Sequence, residues 1–466
     1  MSDINATTLS GSTVTLADSG VTELASRLQG GLLRPGDDGY EAGRHVWNGN
    51  IDRHPALIAR CTGVADVMAA VQFARANNLL VALRGGAHNA AGNGTCEGGI
   101  VIDTSPMKGI QVDPGQRTAR AQAGVVWREF DREAQVFNLG TTGGTVSNTG
   151  IAGLTLGGGV GWLMGKHGLT VDNLLSVDLV TADGSFVRAS ADQNPDLFWG
   201  LRGGGGNFGI TTSFEYRLHN VGPVVLGGMV LWPLPAARDV LRMYRDFCQT
   251  MPDEAEAFAG LLTAPGGPPV VAVITGYNGP IAEGERVLAP IRSFGQPIMD
   301  VVGPMPHAVR NTILDDPNAV HGLQRYWKSG FSPDLSDTLI DTMVDAAGQF
   351  PSPLSAFLMV NIHGAATRID PAATAFGMRS PQWDVNLVSQ WTDPSQSAAQ
   401  TNWTRGVWGR MEASLANSAY INHIAGDDRP EKVRASYGAN YDRLLALKRR
   451  YDPANMFRLN ANINPA

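Results

Sequence analysis

The sequence predicts an α+β fold with two domains, and three observations support this prediction. The chain has 466 residues, which is more than a single hydrophobic core usually contains. Helical and strand patterns follow one another without the regular strand–helix–strand alternation of a doubly wound parallel sheet. The character of the sequence also changes at residues 221–223, where glycine-rich loops give way to longer strand and helix patterns.

In the first half of the chain the patterns predict helices mixed with short strands. Apolar residues recur at helical spacing over residues 66–78 and 126–138. Residues 175–190 contain two strand patterns around an Asp-Gly turn, which predicts a β-hairpin. The polar N-terminal segment before the first of these helical patterns is predicted to be a mobile leader. Further strands are predicted within LLVALRGG (79–86), GGIVIDTS (98–105) and TARAQAG (118–124).

From about residue 224 to residue 410, strand-like runs are interspersed with longer helical patterns. This composition predicts a separate domain in which helices back a β-sheet. The strand-like runs are VVLGGMVLW, PVVAVITGY, LSAFLMVNIH and DVNLVSQW. A final helix, within NYDRLLALKRRYDPANMF, is predicted to end at Asp452-Pro453.

Composition and charge exclude several classes of protein. A hydrophobic content of 43% with 17% charged residues is typical of a globular protein and not of a disordered one. The formal net charge of -7 gives no electrostatic reason to expect nucleic acid or an anionic membrane as a partner. The sequence contains no CxxC, HxH, HxxH or HExxH pair, so it gives no indication of a metal site. Because no signal peptide or membrane span is visible, the predicted location is the cytoplasm.

Three glycine-rich loops, at residues 84–94, 150–168 and 202–209, are candidates for binding phosphate groups. The second loop departs from the P-loop pattern. The third contains GxGxxG but precedes a strand pattern, whereas a Rossmann fingerprint requires a helix. The glycines therefore serve either tight turns and close packing or the pyrophosphate of a long dinucleotide. His88, in the first loop, is either an ordinary loop histidine or a group presented to a ligand.

Five motifs together resemble one family. They are RGGAHNAAG, GLTLGGGVGW, KHGLTVDNLLSVDLVTADG, NPDLFWGLRGGGGNFGITTSFEY and YGANYDRLLALKRRYDPANMFRLNANI. In this order they are similar to the flavin-linked oxidases of the vanillyl-alcohol-oxidase (PCMH-type) fold, in the berberine bridge enzyme and 6-hydroxy-D-nicotine oxidase-like branch. The resemblance implies an FAD-binding domain formed by residues 1–222 together with residues 413–466. It also implies a central substrate-binding domain formed by residues 223–412.

The resemblance implies a covalently bound FAD. In the family, the histidine that matches His88 is bonded to the 8α-methyl carbon of the flavin, for which a neutral imidazole nitrogen is a competent nucleophile. Many relatives have a second, cysteinyl link. Val146 stands at that position here, so we expect a single attachment. The other expected cofactor contacts are Arg84, Gly85, Gly86, Ala87, Asn89, Gly92, Thr149, Gly150, Gly153, Leu154, Gly157, Gly158, Gly161, Asn207, Gly209, Ile210, Asn460 and Asn462.

The expected catalytic residues are Tyr420 and His423, which match a tyrosine and a histidine that face the substrate in a similar family segment. Either residue could instead serve only packing or a structural hydrogen bond, and a tyrosine acts as a base only if its phenolate is stabilised. Several relatives carry an active-site glutamate on a central strand, where Leu358 is aligned here. The expected pocket residues are Asn361, His363, Gln390 and Trp391.

The resemblance implies an FAD-dependent oxidase. Such an enzyme transfers a hydride from a C–H bond beside an OH or NH group to flavin N5, and then reduces O₂ to H₂O₂. The expected substrate is a small organic alcohol, sugar, amine or phenolic polyketide-like molecule. A small side chain at Thr149 favours the oxidase, since this position lines the oxygen side of the flavin in relatives. Two alternatives stay open, which are a dehydrogenase of the same fold with another electron acceptor and a flavin-binding protein without turnover. The sequence predicts no particular oligomeric state.

Overall fold

The computed structural model describes residues 3–466, which form a mixed structure of strands and helices. The strands, in chain order, are β1 (Ile4–Thr7), β2 (Thr13–Leu16), β3 (Leu32–Leu33), β4 (Leu57–Arg60), β5 (Val81–Arg84), β6 (Ile100–Asp103), β7 (Ile110–Asp113), β8 (Thr118–Gln122), β9 (Leu139–Gly140), β10 (Leu174–Val180), β11 (Phe186–Ser190), β12 (Ile210–Arg217), β13 (His219–Asn220), β14 (Val224–Pro233), β15 (Ala255–Thr263), β16 (Pro269–Tyr277), β17 (Met299–Asp300), β18 (Gly303–Pro306), β19 (Gln324–Ser332), β20 (Ala356–Ile362) and β21 (Gln382–Trp391).

The α-helices vary from single turns to four turns in length. In chain order they are α1 (Asp18–Arg27), α2 (Tyr40–Arg44), α3 (Val64–Ala76), α4 (Trp127–Gln135), α5 (Ile151–Leu156), α6 (Met164–His167), α7 (Pro195–Leu201), α8 (Ala237–Thr250), α9 (Ile281–Arg292), α10 (His307–Arg310), α11 (Asp315–Asn318), α12 (Asp337–Ala347), α13 (Ala365–Arg368), α14 (Ser397–Met411), α15 (Pro430–Tyr437) and α16 (Tyr441–Tyr451).

The N-terminal part of the chain contains a four-stranded and a five-stranded sheet. The order of the four-stranded sheet is β3-β4-β6-β5, and β6 pairs in parallel with both β4 and β5. The five-stranded sheet has the order β11-β10-β12-β8-β7 and is antiparallel. The predicted hairpin is confirmed, since β10 and β11 pair with Val180 opposite Phe186 across the turn.

The central part of the chain forms one large antiparallel sheet, with the order β17-β14-β16-β15-β20-β21-β19 and with β18 also paired to β14. Side chains on one face of this sheet pack against helices α8, α9, α12 and α14 in the largest hydrophobic cluster. Side chains on the other face pack against the segment after α5 and against Tyr420. The prediction of a sheet backed by helices is therefore confirmed, and the second face is available to form a site with the rest of the chain.

The C-terminal segment returns to the N-terminal half. Ile421, Tyr437, Leu447 and Ile463 are buried in the same hydrophobic cluster as the five-stranded sheet. Lys448 and Asp452 form a fully buried ion pair at 2.7 Å, and Lys448 also donates hydrogen bonds to two main-chain carbonyls. Both chain ends therefore contribute to one core, although the predicted domain boundaries stay predictions.

The prediction of a mobile leader is wrong for most of its length. Residues 4–16 form an antiparallel hairpin, β1–β2, and α1 begins at Asp18. Ala6 and Leu16 are buried in a cluster with β4, α3 and β6, so this hairpin is held by apolar contacts despite its polar composition. The first two residues of the predicted leader lie outside the described residues.

Two further properties concern membranes and metals. Among the helices of residues 3–466, none combines the length and the apolar character that a bilayer crossing requires. Within the same residues, His, Cys, Asp and Glu side chains do not form any group of three or more that could hold a metal ion. All three cysteines are buried free thiols.

The buried ion pair of the C-terminal segment predicts a large stability effect. Asp452→Ala is expected to lower the free energy of unfolding by about 3–5 kcal/mol, since it leaves the ammonium of Lys448 buried without its counter-ion. Arg434→Ala, in the same segment, is the matched control. Its ion pair with Asp442 is exposed, so a loss below about 1 kcal/mol is expected. Urea and thermal unfolding followed by circular dichroism measure both variants. Equal losses would contradict the prediction.

Candidate active site

The loop that carries His88 follows strand β5 and packs tightly against a second loop. A Cβ atom added to Gly86 would lie 2.4 Å from the nitrogen of Gly150, so the two backbones touch. This contact brings Thr149 beside the first loop. The backbone N–H groups of residues 86–91 have no acceptor among the described residues. A row of free N–H groups of this kind is suited to an anion such as a phosphate.

The ring of His88 is half-buried and held on two sides. Trp47 stacks on the ring, with the centroids 4.3 Å apart and the planes 21° from parallel. Asn148 Oδ1 lies 3.1 Å from His88 Nε2. Removal from water lowers the pKa of His88 to about 3, and the charges of His321 and Arg325 act in the same direction. The imidazole is therefore neutral at physiological pH, as a nucleophile must be.

Residues 315–325, which comprise α11, the turn after it and the start of β19, contact these neighbours of His88. Asn318 and Ala319 accept hydrogen bonds through their main-chain carbonyls, from the Trp47 indole at 2.6 Å and from Asn148 Nδ2 at 2.7 Å. The guanidinium of Arg325 lies 3.7 Å from the Trp47 ring centroid. Burial lowers the pKa of Arg325 to about 9, which leaves it cationic at neutral pH.

A cavity of about 320 Å³ lies between the His88 loop and the C-terminal segment. This volume is at the lower end of the ~300–1,000 Å³ range of small-molecule pockets. Its lining is rich in amides, namely Asn89, Asn93, Asn460, Asn462 and Asn464. The Oδ1 atoms of Asn460 and Asn462 are buried without a hydrogen-bond partner among the described residues. Unpaired acceptors at this cavity, next to the loop with free N–H groups that contributes Asn89 and Ala91 to the lining, fit a dinucleotide, which offers N–H and hydroxyl donors as well as phosphates.

The second glycine-rich loop lies against Tyr420. A Cβ atom on Gly157 would lie 2.2 Å from the Asn422 side chain, and one on Gly158 would lie 3.4 Å from the ring of Tyr420. This close approach lets the Gly159 N–H donate to the Tyr420 hydroxyl oxygen at 2.8 Å, and Asn422 Nδ2 donates to the same oxygen at 2.8 Å. Two donors favour a phenolate, but burial outweighs them and raises the pKa of Tyr420 to about 12.

His423 forms a histidine–carboxylate pair with Asp384 of strand β21. His423 Nδ1 lies 3.0 Å from Asp384 Oδ2, and Asp384 is buried. Since a carboxylate only accepts, Nδ1 carries a hydrogen, and in the neutral form of the ring Nε2 is the nitrogen with the lone pair. The ring stacks on Trp327 at 4.7 Å and meets the edge of Tyr420 at 4.9 Å. This arrangement fixes the imidazole and leaves a basic nitrogen on a half-buried residue.

Several expected cofactor residues are engaged within the protein. Arg84 donates to the carbonyl of His45 at 2.6 Å and lies 3.8 Å from Asp103. Asn207 donates to the carbonyls of Gly204 and Ala461. Three further expected cofactor residues, Gly161, Gly209 and Ile210, are buried. Arg84 and Asn207 thus shape the loops around the cavity, and their contact with a cofactor stays a prediction.

The four expected pocket residues of the central sheet do not lie together in one group. Asn361 is opposite Trp383, on the face that packs against the helices, and not on the face towards Tyr420. His363 lies 3.3 Å from the buried Glu256. Trp391 donates its indole hydrogen to Ser397 at the start of α14, and Gln390 accepts from Arg325. These contacts do not favour the pocket role, which stays untested.

Sequence reasoning missed Asp384, Trp327, Trp47 and Asn148. In the sequence, the active-site glutamate of several relatives aligns with Leu358, which lies on β20. In the sheet, Leu358 is opposite Asn386 of the neighbouring strand β21, and Asp384 lies two residues before Asn386, on the same face. The alternation of Asp384 and Asn386 along DVNLVSQW is the pattern that could have indicated a polar face.

Two family models and several known proteins are similar to this chain. The family described as FAD binding domain matches residues 55–190, and the family described as berberine and berberine like matches residues 419–464. (R)-6-hydroxynicotine oxidase of Paenarthrobacter nicotinovorans is 31% identical over 459 residues, which cover 94% of this chain and 97% of that protein. An FAD-linked oxidoreductase of Dictyostelium discoideum is 29% identical, over 96% of this chain and 97% of that protein.

Solved structures extend the likeness to the whole fold. The crystal structure of 6-hydroxy-D-nicotine oxidase from Arthrobacter nicotinovorans has a TM-score of 0.85 and 28% identity, and the match covers 94% of this chain and 98% of that chain. Glucooligosaccharide oxidase from Acremonium strictum, described with 6-S-cysteinyl, 8α-N1-histidyl FAD, has a TM-score of 0.86 at 23% identity, over 96% and 100% of the two chains. The chain therefore belongs to the berberine bridge enzyme-like family of FAD-dependent oxidoreductases and has its PCMH-type fold.

Proposed function

We propose that this protein is an FAD-dependent oxidase in which the flavin is attached covalently through His88 alone. The observation that carries this proposal is a cavity at which the His88 loop, the segment after Tyr420 and the tail with its asparagine amides meet. In this proposal residues 1–222 and 413–466 form the FAD-binding domain, and residues 223–412 form the substrate-binding domain. The shared core of the two chain ends supports this division.

The contacts of His88 support the attachment. The ring is neutral, stacked and hydrogen-bonded, so its orientation is fixed before any bond forms. The free backbone N–H groups of residues 86–91 would hold the pyrophosphate, and Asn460 and Asn462 would accept from the ring or the ribityl chain. When bound, the flavin supplies the acceptor for a hydride from the substrate and passes two electrons on to O₂.

A second, cysteinyl attachment is not part of the proposal. Val146 stands where the resemblance places the cysteine. Cys96 is the cysteine nearest to His88 in the sequence, and its side chain is buried. Burial raises the pKa of the Cys96 thiol to about 12, so almost none of it is thiolate at neutral pH. A thiol of this kind is a poor nucleophile.

The chain's own residues would take the proton that leaves the substrate O–H or N–H. His423 Nε2 has no hydrogen-bond partner among residues 3–466, and the carboxylate of Asp384 stabilises the positive charge that the ring gains. The Tyr420 hydroxyl accepts from two N–H donors and has no acceptor of its own within those residues, so its hydrogen is available to a substrate oxygen or nitrogen. Tyr420 would therefore orient the substrate while His423 acts as the base.

The substrate class is a small molecule with a C–H bond beside an OH or NH group. Relatives are named for hydroxynicotine and for glucooligosaccharide, an amine and a sugar. On strand β19, Trp327 and Ser329 lie on the same face as Asp384, and the Ser329 hydroxyl is buried without a partner among the described residues. An indole face beside polar groups suits a ring-shaped substrate with hydroxyl or amine substituents.

The attachment predicts a simple result after acid precipitation. The wild-type pellet is expected to be yellow, and peptide mass mapping is expected to place flavin on the peptide that contains His88. His88→Ala is expected to release all its FAD into the supernatant, because the described residues that line the cavity include no cysteine, histidine or tyrosine that could replace it. Cys96→Ala is the matched control and is expected to keep the yellow pellet. Flavin on any cysteine-containing peptide that lacks His88 would contradict single attachment.

The assignment of the base predicts the effect of His423→Ala. Using a substrate found in a peroxide-coupled screen, anaerobic flavin reduction is expected to slow by roughly 10²–10⁴-fold, the usual contribution of a general base. Asp384→Asn is expected to lower the same rate, since an amide does not stabilise the charged ring. His219→Ala, a histidine paired with Asn173 away from the cavity, serves as the control. A rate within twofold of wild type in His423→Ala would exclude it as the base.

The oxidase and dehydrogenase alternatives differ in reoxidation. The wild-type enzyme is expected to form one H₂O₂ per substrate in air. Thr149→Leu is expected to slow reoxidation by about tenfold or more and to leave anaerobic flavin reduction unchanged, because the longer side chain fills the space beside the His88 loop. Thr149→Ser keeps the space and is expected to match wild type. Stopped-flow absorbance measures both half-reactions. Slow reoxidation of the wild type would favour the dehydrogenase.

A further inference from the structure

The amide of Asn148 has a defined orientation beside His88. Its Nδ2 donates to the main-chain carbonyl of Ala319 at 2.7 Å. The oxygen must therefore be the atom that lies 3.1 Å from His88 Nε2. An amide oxygen only accepts hydrogen bonds, so the nitrogen that faces it has to carry a hydrogen. The carbonyl of a residue far along the chain thus determines which tautomer of His88 is favoured.

A neutral imidazole has one N–H and one lone pair. Burial lowers the pKa of His88 to about 3, so the ring holds a single hydrogen at neutral pH. With that hydrogen on Nε2, the lone pair is on Nδ1. The stacked Trp47 ring restricts rotation of the imidazole, which would otherwise exchange the two nitrogens. Nδ1 is consequently the nucleophilic atom of His88.

We propose that Asn148 is a positioning residue that selects the Nε2–H tautomer of His88 and thereby makes Nδ1 the atom that bonds to the flavin. This inference rests on the covalent attachment proposed above. In the overall reaction, one C–H bond of the 8α-methyl group and the N–H bond of His88 break and a C–Nδ1 bond forms. Two protons and two electrons leave, and dioxygen takes them to become hydrogen peroxide.

The neighbourhood of Asn148 is built to hold this orientation. The preceding residue, Ser147, donates its N–H and its hydroxyl to the two carboxylate oxygens of Asp315, each at 2.7 Å. Ala319 follows four residues later in the same segment. Asp315 therefore fixes the backbone at residue 147 while Ala319 fixes the amide at residue 148. Without the Ala319 carbonyl, the amide could rotate and present its Nδ2 to His88, which would favour the opposite tautomer.

Two substitutions separate the role toward His88 from the role toward Ala319. Asn148→Asp and Asn148→Leu both remove the donor to Ala319 and keep nearly the same side-chain shape. Only Asn148→Asp keeps an oxygen that accepts from His88 Nε2–H. A merely structural role would therefore affect both variants alike, whereas selection of the tautomer would affect only Asn148→Leu. Asn148→Ala is a second variant without an acceptor, and it is smaller.

The experiment measures the covalent fraction of the bound flavin in purified protein. Acid-precipitated pellet and supernatant are assayed for flavin, and circular dichroism melting and total flavin content test folding. We expect Asn148→Leu and Asn148→Ala to retain FAD but to lower the covalent fraction about tenfold, the effect of one lost hydrogen bond. Asn148→Asp is expected to stay within about threefold of wild type. NMR of the isolated flavin peptide is expected to place the bond at Nδ1.

The possible outcomes distinguish this inference from the function on which it rests. A wild-type pellet without flavin would overturn the attachment and this inference together. A yellow wild-type pellet with equally complete attachment in Asn148→Leu and Asn148→Ala would overturn the role of Asn148 alone. Equal loss in Asn148→Asp and Asn148→Leu would assign the effect to the Ala319 contact and overturn selection of the tautomer. A bond at Nε2 would do the same.

Discussion

The docking of the C-terminal segment onto Asn207 is the constraint on which the rest of the site depends. The Asn207 amide donates to the carbonyl of Ala461 and accepts from the N–H of Ile463, so it joins the third glycine-rich loop to the tail. Lys448 adds a hydrogen bond to the carbonyl of Asn207 and an ion pair with Asp452. Since buried groups left unpaired are costly, these bonds form together. As a result, the amides of the C-terminal segment lie opposite the His88 loop, and the two segments enclose the cavity.

A second constraint joins the central sheet to this structure. Arg379 and Asp172 form a buried ion pair with two hydrogen bonds, at 2.7 and 2.8 Å. The pair lies between the segment that leads into β21 and the segment after the second glycine-rich loop. It therefore fixes the position of the face that carries Asp384 relative to the loop that holds Tyr420. A histidine–carboxylate pair assembled from the tail and the sheet requires such a fixed distance, because hydrogen bonds weaken steeply when their geometry is lost.

Local patterns in the sequence predicted much of the fold. The hairpin at residues 175–190, helix α16 and the central strands all follow from periodicity and turn residues, which act over a few neighbouring positions. The N-terminal hairpin was missed because most of its residues are polar and only two of its hydrophobic residues, Ala6 and Leu16, are buried in the core. Which face of the sheet carries Asn361, and whether Asp384 can reach His423, depend on which strands are neighbours. Sheet order is a long-range property that no local pattern contains.

The glycine-rich loops also show what a local sequence pattern cannot predict about a functional site. Their composition indicated close backbone approach but not the partner that is approached. In the first loop, residues 86–91 keep free N–H groups, as an anion site requires. In the second, Gly157 and Gly158 make room for Asn422 and for the ring of Tyr420, which is a contact with the C-terminal segment. Glycines of identical appearance in the sequence thus accompany free N–H groups in one loop and make room for a tyrosine ring in the other.

Tyr420, His88 and His423 also differ in how their charged forms are stabilised. With a pKa of about 12, the phenolate of Tyr420 at pH 7 lies roughly 7 kcal/mol above the neutral phenol, despite its two N–H donors. His88 also prefers its neutral form, since burial disfavours its cation. His423 is the one of these three whose charged form is met by a carboxylate, at 3.0 Å. In the proposed function, His423 Nε2 would therefore take the proton that a substrate releases, because the carboxylate of Asp384 offsets the positive charge of the ring. The hydrogen of Tyr420 would remain in place to hold the oxygen or nitrogen that loses the proton.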